Sequence, residues 1–159
     1  MKINQLLLAI VAAISLTGCA SNISARYSYN SDIDYSHIKS YAWISAAPQS
    51  FSTPESAKYF VATMDDMLAT KGFRLDAENP DFLIGTQDVK NYVEEYVTIN
   101  GSISIPEEML RVAFIDAISK EIIYESSADA YFDANWTQTE KNALIDQAVE
   151  LLGARFPPD

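Results

Sequence analysis

The stretch MLRVAFIDAISKEIIYESSADAYF, residues 109–132, carries the pattern that decides the fold. Residues 109–116 and 122–132 are both rich in strand-forming residues, and successive strand side chains point to opposite faces. The segment 117–121 (AISKE) is short enough to form the turn between the two strands. The pattern predicts a β-hairpin with Leu110, Val112 and Phe114 on one face.

Two amphipathic helices flank this strand-rich part of the chain. Thr53 before Pro54 fits the N-cap of the first helix, and Gly72 fits the residue that follows its end. The second helix follows the capping box Thr137-x-x-Glu140. Further strands are predicted at residues 27–30, 41–45, 82–85, 88–99 and 102–105.

Strands that come before and between two amphipathic helices predict an α+β fold. Hairpin-linked strands favour an antiparallel sheet, and each amphipathic helix needs a partner for its apolar face. We therefore expect a two-layer sandwich, a mainly antiparallel sheet with two helices packed on one face. Asn100-Gly101, between Ile99 and Ser102, is a type I′ turn signal and predicts a further hairpin.

Composition excludes several classes of function. The chain has 159 residues with 22 acidic and 11 basic side chains, so its net charge is −11. That balance argues against nucleic acid, whose phosphates need a basic surface. One cysteine and one histidine exclude an intramolecular disulfide and the common zinc motifs. The 48% hydrophobic content supports one folded domain, which we place at residues 27–159, and we expect no metal and no cofactor.

The N-terminus predicts a lipoprotein signal peptide over residues 1–18. The apolar run at residues 6–16 would span only about 16 Å as a helix, which is too short for a bilayer. Leu16-Thr17-Gly18-Cys19 then matches the lipobox of bacterial lipoproteins, in which the peptidase cuts between Gly18 and Cys19. Cys19 is the predicted lipidation site; the alternative is a free thiol that happens to follow a signal peptide.

Lipidation would define the location of the protein. Residues 19–26 read as a lipidated tether, and acyl chains on Cys19 would anchor the chain to a membrane. Ala20 stands where an Asp favours inner-membrane retention in such lipoproteins, so we expect the outer membrane, facing the periplasm. Loss of Lys2 leaves 22 acidic against 10 basic side chains, a charge of −12.

Four segments in order resemble one family. They are YSHIKSYAW at residues 35–43, ENPDFLI at 78–84, FIDAISKEIIY at 114–124 and LLGARFPP at 151–158. The chain resembles the domain-of-unknown-function 4136 bacterial lipoproteins over residues 26–158, and departs from them at 89–105, where their hairpin is often rich in Gly or Ser. The resemblance implies a periplasm-facing lipoprotein with an α+β domain and supplies no catalytic residues.

No catalytic constellation stands out. Ser36-x-x-Lys39 has the spacing of penicillin-binding enzymes but lacks their companion motifs. His37 fits an exposed position better than a general base, and the paired carboxylates fit a solvated surface better than a glycosidase or calcium site. We therefore expect a protein that is not an enzyme, with an envelope hydrolase as the least favoured alternative.

The aromatic residues offer a lead to binding. Tyr92 and Tyr96 share one face of the predicted arm and form the candidate binding surface, although cross-strand packing explains them as well. Trp43 fits the core. The sequence predicts a non-enzymatic interaction or envelope-maintenance module with an envelope protein partner. The alternative is a small-ligand or peptide binding protein that uses the sheet face or the 92–105 hairpin.

Overall fold

The computed structural model describes residues 23–45, 51, 53–88, 97–98, 101–102, 107–131 and 135–158. Within them the chain forms eight strands, two α-helices and one short 3-10 helix at Tyr35–His37. In chain order the elements are β1 (Ser24–Tyr29), β2 (Ser40–Trp43), α1 (Pro54–Thr70), β3 (Arg74–Leu75), β4 (Phe82–Asp88), β5 (Val97–Thr98), β6 (Gly101–Ser102), β7 (Glu107–Asp116), β8 (Ile122–Tyr131) and α2 (Gln138–Gly153).

The predicted β7–β8 hairpin is confirmed and lies inside the main sheet. Six strands form an open sheet in the order β1-β8-β7-β4-β2-β3, in which β1 and β4 pair antiparallel with the two arms of the hairpin. Leu110 pairs with Ala128 and Phe114 pairs with Tyr124, so that apolar residues share one face. The predicted face of Leu110, Val112 and Phe114 is therefore confirmed.

Strand β2 makes the sheet mixed. It pairs parallel with β3 on one side and with β4 on the other. Parallel neighbours need a long connection that crosses over the sheet, and α1 lies in the connection between β2 and these strands. Strand β3, only two residues long, was not predicted.

Both helices pack on the same face of the sheet, which confirms the α+β sandwich. Leu110, Val112 and Phe114 of β7 lie in one buried cluster with apolar residues of both helices. From α1 these are Phe60, Met64 and Leu68, and from α2 they are Ile145, Ala148, Val149 and Leu152.

The helix ends also follow the sequence signals. The Thr53 hydroxyl accepts the Ser56 N–H at 3.2 Å, and Thr137 and Glu140 form the reciprocal capping box. Gly72 adopts φ +88°, and the N–H of Phe73 donates to the Leu68 carbonyl at 3.0 Å. This is the Schellman ending that the glycine predicts, because a left-handed residue is least costly without a Cβ.

Some predicted strand limits were wrong. Strand β1 begins at Ser24, three residues before the predicted start. Strand β4 continues through Gly85 to Asp88, because these residues pair with β7. A Cβ at Gly85 would lie 3.3 Å from Cδ1 of Ile44, so the glycine marks a close approach and not a strand end.

The short β5–β6 pair differs from the predicted register. Thr98 pairs with Gly101 and Val97 with Ser102, whereas the turn signal placed Ile99 opposite Ser102. Two paired residues per strand give few cross-strand contacts to fix a register. No helix among the described residues is long and apolar enough to cross a membrane.

Candidate functional site

The predicted site residues lie outside the described part of the chain. Gly18 and Cys19 precede residue 23, and Tyr92 and Tyr96 lie between Asp88 and Val97. The lipidation site, the cleavage site and the tyrosine surface therefore stay predictions.

The S-x-x-K residues are described and do not form a pair. Ser36 lies in the 3-10 helix, where its hydroxyl and its backbone N–H both bond to Asp34. These two bonds hold the pKa of the Asp34 carboxyl below its usual value. Oδ2 of the same carboxylate also lies 3.1 Å from Nε2 of the exposed His37. Ser36 thus serves the turn that Asp34 caps.

One carboxylate of the Asp65-Asp66 pair ties α1 to the sheet. Oδ1 of Asp65 accepts the Tyr41 hydroxyl at 2.8 Å and the Trp43 indole N–H at 2.9 Å. The Trp43 ring also packs edge-on against Phe60, with the centroids 6.1 Å apart. Among the described residues no group of three or more His, Cys, Asp or Glu side chains is placed to hold a metal.

Phe156, in the C-terminal FPP segment, fills the centre of the core. Its ring lies 4.4 Å from that of Phe114 and 5.1 Å from that of Tyr124, measured between centroids, and it is almost fully buried. The Tyr124 hydroxyl donates to the Leu152 carbonyl at 2.9 Å, which ties β8 to the end of α2. These contacts fix the path of the chain after α2.

The chain after Phe156 borders two clefts on the surface. One cleft, of about 180 Å³, lies between β1 and the end of α2; its walls are Tyr27, Tyr29, Ala154, Arg155, Pro157 and Pro158. The other, of about 410 Å³, lies across the same two prolines; its walls are Ile33, Asp34, Tyr35, Ser36, Lys39, Pro157 and Pro158. Both are open to solvent, and apart from Asp34 their charged side chains are cationic.

The first cleft carries a cation over an aromatic ring. The guanidinium carbon of Arg155 lies 5.8 Å from the Tyr27 ring centroid, which is within range of a cation–π contact. Tyr27 and Tyr29 are half exposed, at 50% and 47%. Tyr35, on the wall of the second cleft, donates its hydroxyl to the Asn30 and Ile123 carbonyls, and burial raises its pKa.

A third depression lies on the outer face of the sheet, away from the helices. Its volume is about 270 Å³, and the Arg111–Glu125 ion pair, with Nε and Oε1 3.1 Å apart, crosses it. Arg26, at its rim, lies 3.7 Å from Asp129. Its arginines are therefore neutralised by their neighbours, which leaves the first cleft as the stronger candidate site.

Sequence reasoning missed the first cleft. Its walls come from the edge strand β1 and from residues 154–158, which are far apart in the sequence. No short sequence motif can therefore contain both walls. The signal available was the Tyr27-x-Tyr29 alternation, which puts two aromatic side chains on one face of a strand.

Comparison with known proteins identifies the fold and the family. A PDZ domain protein from Parabacteroides distasonis matches with a TM-score of 0.62 at 15% identity, over 98% of this chain and 40% of its own length. The chain therefore spans well under half of that protein, and the likeness concerns the fold alone. A PelC dodecamer from Paraburkholderia phytofirmans matches with a TM-score of 0.49 at 12% identity, over 82% of this chain and 96% of its own.

Sequence comparison is more decisive. No curated protein matches the chain. The family model for a domain of unknown function, DUF4136, matches residues 25–158, which is nearly the whole described domain and agrees with the resemblance seen in the four segments. The chain belongs to the DUF4136 family.

Proposed function

We propose that the protein is a lipoprotein of the bacterial outer membrane that faces the periplasm and acts as a non-enzymatic interaction or envelope-maintenance module. The observation that carries this proposal is the lipobox, since the only cysteine of the chain, Cys19, stands directly after Gly18 at the end of a short apolar run. Two or more acyl chains give stable anchoring, whereas one gives only marginal binding.

The start of the fold supports a domain held close to the membrane. Strand β1 begins at Ser24, five residues after Cys19. Five extended residues reach at most about 18 Å, so the end of the sheet where Ser24 pairs with Asp129 would lie within that distance of the lipid anchor. The acyl chains would supply the affinity, because a charge of −12 repels an anionic bilayer surface.

The motif residues support an interaction role over catalysis. Trp43 bonds to α1 through Asp65, Asp81 bonds to the start of β2, and Phe156 fills the core. These residues of the family segments therefore build the scaffold.

Processing and fractionation in cells test the proposal. Globomycin should cause the unprocessed precursor to accumulate, and Cys19→Ser should abolish lipid labelling and membrane attachment. Gly18→Ala, which keeps a small residue at the cleavage site, should be processed normally. Ala20→Asp should move the protein from the outer-membrane to the inner-membrane fraction. Normal processing of Cys19→Ser would refute the lipoprotein assignment, and an unchanged location of Ala20→Asp would refute the sorting.

Peptide binding is a second candidate, favoured by the clefts beside Pro157. The interface between the sheet and the helices is filled by the buried cluster, which argues against a ligand between the layers. Both clefts are open to solvent and the first adjoins the edge strand β1, a setting that suits an extended peptide better than a small molecule.

A further inference from the structure

Strand β1 leaves one edge of the main sheet open. All six residues of Ser24–Tyr29 are exposed, and among the described residues β1 pairs only with β8. No strand in the described part of the chain pairs with the backbone groups on its other side, and an edge of this kind can accept a further strand. Adding a strand to such an edge is a common way to recognise an extended peptide, with the main chain giving affinity and side-chain pockets giving specificity.

The 180 Å³ cleft lies beside this edge and supplies such a pocket. Tyr27 pairs with Ser126 and Tyr29 with Tyr124, and because Ser126 and Tyr124 lie on the core side of the sheet, both tyrosines stand on that side too. There they meet the turn after α2, where Arg155 lies over the Tyr27 ring. A side chain from an added strand on this side would enter the cleft.

Arg155 differs from the other described arginines in having no carboxylate partner. Arg26 faces Asp129, Arg74 faces Asp76 and Arg111 faces Glu125. Arg155 makes no ion pair with any residue that the structure describes and contacts a tyrosine ring instead. An arginine in this position is suited to a carboxylate brought by a ligand.

We propose that β1 and this cleft bind an extended peptide segment of a partner protein, which adds to the sheet as a strand and places a carboxylate on Arg155. Charge argues against a second copy of the chain as the occupant, because two mature chains that each carry a charge of −12 would repel each other. This inference rests on the interaction role proposed above and names the chemistry of its partner.

A designed strand peptide provides the test. The probe is acetyl-Thr-Val-Glu-Val-Thr-Val-amide carrying fluorescein, and its matched control has Gln in place of Glu. The full chain, purified in detergent micelles, is titrated with each peptide and binding is read by fluorescence anisotropy. We expect the Glu peptide to bind about tenfold more tightly, because its carboxylate gains a charge-assisted pair. Hydrogen exchange should slow at residues 24–29 when this peptide is bound.

Two variants separate the role of Arg155 from general charge. Arg155→Gln should abolish the preference for Glu while keeping weak binding of both peptides. Lys58→Gln, which removes an exposed cation from α1, should keep the preference. Circular dichroism spectra that match the parent chain would show that both variants fold.

Several outcomes would overturn the inference. They are no binding of either peptide up to about 1 mM, slowed exchange away from β1, or a preference for Glu that survives in Arg155→Gln. Concentration-dependent protection of β1 without peptide would instead identify a second copy as the occupant. Because the assay uses detergent micelles, a failure of peptide binding is distinct from a failure of lipid anchoring, which fractionation measures.

Discussion

Ser40 and Asp81 join the start of β2 to the start of β4 through reciprocal hydrogen bonds. Oδ2 of Asp81 accepts both the N–H and the hydroxyl of Ser40 at 2.8 Å, and the N–H of Asp81 donates to the Ser40 carbonyl at 3.0 Å. The same carboxylate oxygen accepts the Lys39 N–H at 2.9 Å. No hairpin links these two parallel strands, so no tight turn sets their register. The hydrogen bonds of the Asp81 side chain to Ser40 fix it instead.

Asp81→Ala should lower the free energy of unfolding by about 2–3 kcal/mol, because it leaves the buried Ser40 hydroxyl and two N–H groups without their charged partner. Urea denaturation followed by circular dichroism measures the loss. Glu78→Ala removes an exposed carboxylate from the same turn and should change stability by less than about 0.5 kcal/mol. Equal effects of the two substitutions would show that the Asp81 contacts contribute nothing.

Stability should also fall in acid. Burial acts to raise the pKa of Asp81, but the bonds from Lys39 and Ser40 outweigh it and the pKa is lowered. The pKa of Asp116 is lowered chiefly by the Ser119 N–H. Because both folded pKa values lie below the unfolded value near 3.9, their contribution is present above about pH 4 and is lost as the pH falls through the folded values.

Urea denaturation from pH 5 down to pH 2.5 checks this dependence. Asp81→Asn keeps an acceptor but does not titrate, so its free energy of unfolding should fall less steeply than that of the parent chain over this interval. Parallel curves for the two proteins would contradict the assignment of the acid sensitivity to Asp81.

The local parts of the fold were predictable from the sequence. The β7–β8 hairpin and the helix ends depend on strand-forming residues and on caps within a few residues of each other, so Leu110, Thr53 and Gly72 carried enough information. The parallel pairing of β2 was not predictable, because hydrogen bonds such as that from Ser40 to Asp81 join distant segments. The Asn79-Pro80-Asp81 motif is visible in the sequence, but the strand to which Asp81 bonds is not.

The candidate site was less predictable than the fold. Tyr27 and Arg155 lie near opposite ends of the chain, and only the packing of α2 against the sheet brings them together. The sequence also does not show that Arg155 is the described arginine without a carboxylate partner. Whether an arginine has such a partner depends on where the acidic residues lie in the folded chain.

Tyr41→Phe should lower the free energy of unfolding by about 1.5 kcal/mol, because it removes a buried hydroxyl that donates to the Asp65 carboxylate. Tyr29→Phe is the matched control; the Tyr29 hydroxyl makes no hydrogen bond within the described residues, so its loss should cost less than about 0.5 kcal/mol. Thermal unfolding at pH 7 compares the two. Equal melting temperatures would show that the Tyr41–Asp65 bond adds no stability.

The same variant should alter the response to alkali. Burial, reinforced by Asp65, raises the pKa of Tyr41, so its contribution is fully present below the unfolded value near 10 and is lost as the pH rises through the folded value. The parent chain should therefore lose more stability than Tyr41→Phe between about pH 9 and pH 11. A steeper loss in the variant would contradict this assignment.

Phe156→Ala should be the most damaging of these substitutions, at about 4 kcal/mol, because it removes a buried ring that also packs on Phe73 and Phe82 and leaves a cavity at the centre of the core. Ile118→Ala, at a side chain that is 92% exposed, should change stability by less than about 0.5 kcal/mol. Urea denaturation measures both.

Because Phe156 lies next to Arg155 and Pro157, its loss should also weaken binding of the Glu peptide at concentrations of urea that leave the parent chain folded. Retention of full peptide affinity by a destabilised Phe156→Ala chain would show that the cleft is positioned without this ring.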